Sequence, residues 1–144
     1  MKVAVIAFCL ALTVSCASQD SMSALASSHV EANEPKGELF DLYLKRDLTS
    51  YFCKERTACR VEYEYLRKGA TQSGVSYPKY YLWAKCVTNG QVETEGAVRV
   101  AAVEQKYFDI TNYISAQEIV ASPNELVRVF PAALVQEIEQ KAKH

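Results

Sequence analysis

The sequence predicts an α+β fold, with an N-terminal helix packed on a four-stranded antiparallel sheet, followed by short C-terminal helices. Three observations predict it. Apolar side chains recur at spacings of three and four between Phe40 and Phe52, four later segments read as strands with turn residues between them, and two Ser-x-x-Glu boxes follow. Strands that follow one another through short turns are antiparallel neighbours more often than not. A sheet with an apolar face buries it against another layer, here the helix.

In residues 37–56, Phe40, Tyr43, Leu44, Leu48, Tyr51 and Phe52 fall on one helical face, with Asp41, Lys45, Arg46 and Asp47 mostly between them. Residues 59–66 alternate, with Cys59, Val61, Tyr63 and Tyr65 on one face and Arg60, Glu62 and Glu64 on the other. Gly69, Gly74 and Pro78 mark residues 67–79 as a loop, a long one for a hairpin. Residues 80–87 form the second strand, and Asn89-Gly90 tolerates the positive φ of a tight turn. Residues 91–103 and 107–114 form the third and fourth strands. Ser115 with Glu118 and Ser122 with Glu125 start two short helices, the second with Pro123 at its first position. Pro131 lacks the N–H to continue that helix and restarts it, and Leu134, Val135 and Ile138 give the last helix its inner face.

This order resembles the cystatin-like and NTF2-like rolls at the level of fold, which host many functions. The cystatin inhibitor loop has the pattern Gln-x-Val-x-Gly, which the stretch from Gln91 to Gly96 does not fit. The NTF2-like resemblance implies a pocket enzyme or ligand binder working without histidine, for which Asp41, Tyr43, Tyr63, Asp109 and Tyr113 are the available groups.

Ahead of this domain, residues 37–144, the chain opens with Lys2 and an uncharged apolar run over residues 3–14. As a helix that run spans about 18 Å, too short for a hydrocarbon core of about 30 Å. A basic start, a short apolar core and small residues at its end read as an export signal. Leu12-Thr13-Val14-Ser15-Cys16 resembles the lipobox of bacterial lipoproteins, although Thr13 stands where that family most often has leucine. The resemblance implies a signal over residues 1–16, lipidation of Cys16, a membrane tether through that lipid and, because Ala17 follows, an outer-membrane lipoprotein facing the periplasm. The alternative is an ordinary signal cut after Ala17, releasing a secreted protein. Residues 17–36 are Ser/Ala-rich and read as a flexible tether, with a helix over residues 22–30 as the alternative.

Composition narrows the function. With 23% charged residues, a net charge of −1 and no basic block, the chain lacks the phosphate-neutralising charge of a nucleic-acid binder. Its two histidines, His29 and His144, lie outside the predicted elements, which weighs against His-based nucleophile systems and metal ligation. No pattern asks for a cofactor or metal, and there is no phosphate-binding glycine motif.

Cys53, Cys59 and Cys86 remain in the domain, an odd number for an oxidising compartment. Cys59 and Cys86 share face parity in neighbouring strands, and the chain-entropy gain is ~3.6 kcal/mol for that loop against ~2.4 for Cys53–Cys59. Cys59–Cys86 is therefore the expected bridge, with three reduced thiols as the alternative. Zinc is disfavoured by the lack of Cys-x-x-Cys or a nearby histidine.

Two constellations are binding candidates. Tyr77, Tyr80, Tyr81 and Trp83 follow the polar stretch from Thr71 to Gly74, and aromatic faces beside polar groups bind sugars or extended peptides. Arg99 lies between Ala97 and Ala101 on one strand face, with Trp83 and Lys85 on the same outer side of the sheet. Ordinary strand aromatics and a solvated, charge-paired sheet face are the bland alternatives. The leading expectation is a non-catalytic, membrane-tethered binding module that contacts an envelope protein or a second copy through Trp83, Lys85 and Arg99. A cell-wall glycan binder using Tyr80 to Trp83 is the third reading.

Overall fold

The structure, a computed structural model, describes the backbone from Ala17 and the side chains from Met22 onward. The signal segment and Cys16 lie outside the described residues. Helix α1 (Ala17–Asn33) and helix α2 (Leu39–Cys53) precede strands β1 (Cys59–Tyr65), β2 (Lys79–Thr88), β3 (Gln91–Val103) and β4 (Tyr107–Ser115). Helix α3 (Ala116–Ala121), a 3-10 turn (Pro123–Glu125), helix α4 (Leu126–Val129) and helix α5 (Ala132–Ala142) follow. The strands form one antiparallel sheet in the order β1-β2-β3-β4.

The sheet is the middle of three layers. Leu44, Leu48 and Phe52 of α2 pack on Val61, Leu82, Val98, Val100 and Phe108. On the opposite face Ile119, Leu126, Phe130, Leu134 and Ile138 pack on Leu66, Tyr81, Trp83 and Ala97. The expectation of an outer face left open for contact is therefore corrected, because α3 to α5 cover much of it. The signal lies in Tyr80-Tyr81-Leu82-Trp83-Ala84, an unbroken apolar run that suits a strand buried on both faces rather than one.

Two bulges re-aim the strands. Val87 pairs with Val92 while Cys86 pairs with Thr94, which leaves Glu93 extra. Arg99 pairs with Asn112 while Val100 pairs with Ile110, which leaves Thr111 extra. The second bulge puts Phe108, Ile110 and Tyr113 all against the α2-side core, although strict alternation would place Asn112 there.

The segment expected as a flexible tether contains α1, whose last turn is fastened to the domain. Asn33 is buried; its side-chain Oδ1 accepts from Glu104 N at 3.1 Å and its carbonyl accepts from Gln105 N at 2.8 Å. Glu104 and Gln105 form the β3–β4 turn with φ of 49° and 60°, left-handed values that are uncommon outside glycine. The Asn33 bonds hold that turn in place.

The disulfide joins Cys53 to Cys59, which corrects the expected Cys59–Cys86 bridge. The register sets Cys59 opposite Thr88 and Val61 opposite Cys86, so Cys59 and Cys86 are only diagonal neighbours. Lys54, Glu55 and Ala58 meanwhile adopt φ of 42°, 67° and 60°, folding the chain back after α2. Cys53 and Cys59 thus come to a Cα separation of 5.6 Å, within bridging range. Loop entropy compares unfolded chains only, and the native turn after α2 selects Cys53 as the partner of Cys59, with the Cys86 thiol left beside the bond.

Candidate functional site

An open groove of about 710 Å³ lies where the outer face of the sheet meets α5. Glu64, Trp83, Lys85 and Glu95 line it from the sheet, and Glu137, Gln140, Lys141 and His144 from the C-terminal segment. A second groove of about 270 Å³ shares Glu64, Trp83 and Lys85 and adds Glu62 and Tyr63.

Strand register builds the sheet wall. Lys85 of β2 stands between Glu62 of β1 and Glu95 of β3, and Trp83 stands opposite Glu64. Lys85 Nζ lies 3.3 Å from Glu95 Oε2, and Trp83 Nε1 donates to the same oxygen at 3.0 Å. Lys141 reaches over from α5 to Glu64 Oε1 at 2.6 Å, and Arg60 pairs with Glu62 at 2.8 Å. Exposed pairs of this kind are each worth at most about 1 kcal/mol. The array contributes little to stability and its charges can exchange partners at low cost. Around the two grooves Glu62, Glu64, Glu95 and Glu137 outnumber Lys85 and Lys141, so the lining favours a positively charged visitor.

Of the predicted binding residues, the structure brings Trp83 and Lys85 into this groove and leaves the others out. Trp83 is only 2% exposed, so it forms the groove floor rather than a platform. Tyr80 and Tyr81 are buried on opposite faces of the sheet, Tyr80 beside Phe40 and Phe108, Tyr81 beside Phe130 with its hydroxyl bonded to Thr71. Neither offers a ring face for a sugar. Arg99 Nε donates to Thr111 Oγ1 at 3.0 Å, and its guanidinium also donates to the Asn112 side chain and, at 3.1 Å, to the Val129 carbonyl. It staples the end of α4 to the sheet. As contact residues Arg99, Tyr80 and Tyr81 are therefore corrected to internal roles. Glu137 and Lys141 escape sequence reasoning because only tertiary packing brings α5 to a strand 77 residues earlier.

The groups considered for a pocket enzyme converge only in part. Tyr63 and Tyr65 donate to Asp41 Oδ1 at 3.3 and 3.2 Å. Burial, then the Asp41 charge, pushes the Tyr63 phenol up to about 12, and burial raises Tyr65 as well. Phenols held protonated so far above neutrality are poorly matched to proton transfer near pH 7. Tyr43 instead lies under the Arg46 guanidinium at 4.4 Å, and Tyr113 is bonded to Thr94 at 2.5 Å.

No family model, curated protein or solved structure matches the chain. Among the described residues, no helix is long and apolar enough to cross a membrane. Cys53, Cys59 and Cys86 hold their sulfurs within 4.8 Å of one another, the grouping with most metal-ligand character among the described residues. Two of the three are already joined as a disulfide, which leaves one thiol to ligate.

Proposed function

We propose that this chain is a non-catalytic binding module, held at a bacterial envelope membrane through lipid on Cys16, whose acidic groove receives a positively charged segment of an envelope protein. The observation that carries the reading is the groove's position beside β1. That strand has a neighbour on one side only, and it presents Glu62 and Glu64 to the groove. An extended segment laid along the free edge of β1 would pair main-chain N–H and C=O groups, with its basic side chains beside those carboxylates. The membrane half of the reading rests on the signal-like start and on Cys16. The pocket-enzyme reading has less support, because the α2-facing side of the sheet is filled by Leu44, Leu48, Phe52, Val98 and Val100.

Placing a photo-crosslinking residue at Glu62 of the full chain in its native host tests the groove. A discrete adduct that disappears with Glu64→Lys is expected, with none from the same residue at exposed Val127. No adduct at Glu62, or one indifferent to Glu64→Lys, overturns the reading; an adduct to a second copy identifies self-association instead. Intact mass tests the tether: an acylated chain beginning at Cys16 in the membrane fraction is expected, and an unmodified soluble chain beginning at Ser18 overturns it.

A further inference from the structure

The cysteine cluster combines a disulfide with a third, unbonded thiol in contact with it. Cys86 is fully buried, and its Sγ lies 3.4 Å from Cys59 Sγ, while Cys59 is bonded to Cys53. The sulfurs form a compact triangle, all within 4.8 Å. Arg56 sits over this triangle. Its Nη2 lies 3.5 Å from Cys86 Sγ and donates to the Phe52 carbonyl at 2.6 Å, its Nε donates to the Cys53 carbonyl at 3.1 Å, and its other arm pairs with the bulged Glu93. The guanidinium therefore closes the C-terminal end of α2 and places a fixed positive charge beside the sulfurs.

We propose that Cys53, Cys59 and Cys86 form an intramolecular disulfide-exchange site in which Cys59 is the shared member and its bond passes between Cys53 and Cys86. As the turn between Cys53 and Cys59 opens and admits hydroxide, the Cys86 thiol loses its proton to that base, and its thiolate forms a bond to Cys59 Sγ as the Cys53–Cys59 bond breaks. Cys53 leaves as a thiolate and takes up a proton. One disulfide is consumed and one is made, so the step needs no oxidant or reductant. Negative charge is spread over the three sulfurs during the exchange, where Arg56 stands ready to meet it. Attack along the bond axis requires the Cys86 side chain to turn within the triangle. The residues between Cys53 and Cys59 supply the complementary motion, because Lys54, Glu55 and Ala58 sit at left-handed φ, which is unfavourable outside glycine. Besides Arg56 and Glu93, the titratable group facing the thiol is Tyr113 of β4. The product ties β1 to β2 and frees the end of α2.

The purified full chain, with its domain disulfide intact, is incubated at mildly alkaline pH, quenched in acid, unfolded and alkylated. Trypsin cleavage at Lys54, Arg56, Arg60 and Lys85 leaves the three cysteines on separate peptides, and Cys9 and Cys16 on another. The expected result is label divided between Cys53 and Cys86, with the Cys53 share growing over the incubation and growing more slowly in Arg56→Gln. In Cys53→Ser, mild oxidation is expected to join Cys59 to Cys86. Label on Cys86 alone throughout the incubation overturns the proposal whatever the variants do. Cys59 and Cys86 both remaining free in a folded, oxidised Cys53→Ser chain overturns it as well.

Discussion

Tyr63 and Tyr65 stand two residues apart on β1, and both direct their hydroxyls at Asp41. Burial and the carboxylate oppose a phenolate, so the folded chain holds Tyr63 protonated up to about 12, above its ordinary value of 10.0. The sign follows from which state binds the proton more tightly. The stability that the pair contributes is complete below pH 10, the unfolded value, and is lost as pH rises towards 12. We expect the phenolate absorbance of Tyr63 to titrate near the top of that window, and Asp41→Asn to bring it part of the way back. Burial is the larger cause, so a complete return to the ordinary value would contradict the structure. The pairing of Tyr63 with Tyr65 was legible in the sequence, since strand parity puts both on one face. Their meeting with Asp41 was not, because it depends on how α2 lies across β1.

The cap of α3 shows what local sequence can specify. Ser115 accepts from the Glu118 N–H, and the Glu118 carboxylate accepts from the Ser115 hydroxyl at 2.7 Å and its N–H at 2.9 Å. The Ser115 side-chain bond, then the backbone bond, holds the Glu118 carboxyl below its ordinary value. This stability is present above pH 4.5 and is lost as pH falls through the lowered folded value. Ser115→Ala should cost about 1 kcal/mol in denaturant melts near neutrality, and the deficit should shrink in acid. A loss that persists unchanged at low pH would mean that Glu118 takes no part. All four strands, α2 and this cap were legible because each is set by neighbours in the chain. The bulges were not, since an extra residue shows only against a partner strand. Their outcome is specific: Thr111 both accepts from the Arg99 side chain and donates to the Arg99 carbonyl, while Glu93 meets Arg56.

At the scale of the whole molecule, β2 and β3 carry side chains of both cores in alternation. Leu82 faces α2 and Trp83 faces α5, and Val98 and Ala97 divide in the same way. Neither core can come apart without disturbing the strands that hold the other. Leu48→Ala and Ile138→Ala should each cost about 2–5 kcal/mol, and either variant should still melt in a single transition. Trp83 fluorescence and far-ultraviolet circular dichroism should coincide; separated transitions would show that the layers fold independently. Strand parity alone places Trp83 and Arg99 on the same side of the sheet as the structure does. That α3 to α5 cover this side is not legible in the sequence, because amphipathic helix faces show that something is covered, not which surface they cover.

Helix α1 makes the N-terminal segment a strut with a defined footing. Its 17 residues extend about 25 Å, and its foot is Asn33 at the β3–β4 turn. A pull delivered along this strut reaches the fold at the Glu104–Gln105 turn through Asn33, at the loop before β2 through the His29–Ser76 bond, and along the chain into α2, but not at Glu62, Glu64 or Lys141 beside the groove. Force on the N-terminal segment and the lining of the groove then engage different parts of the same sheet, so tension on α1 would leave the groove's shape intact.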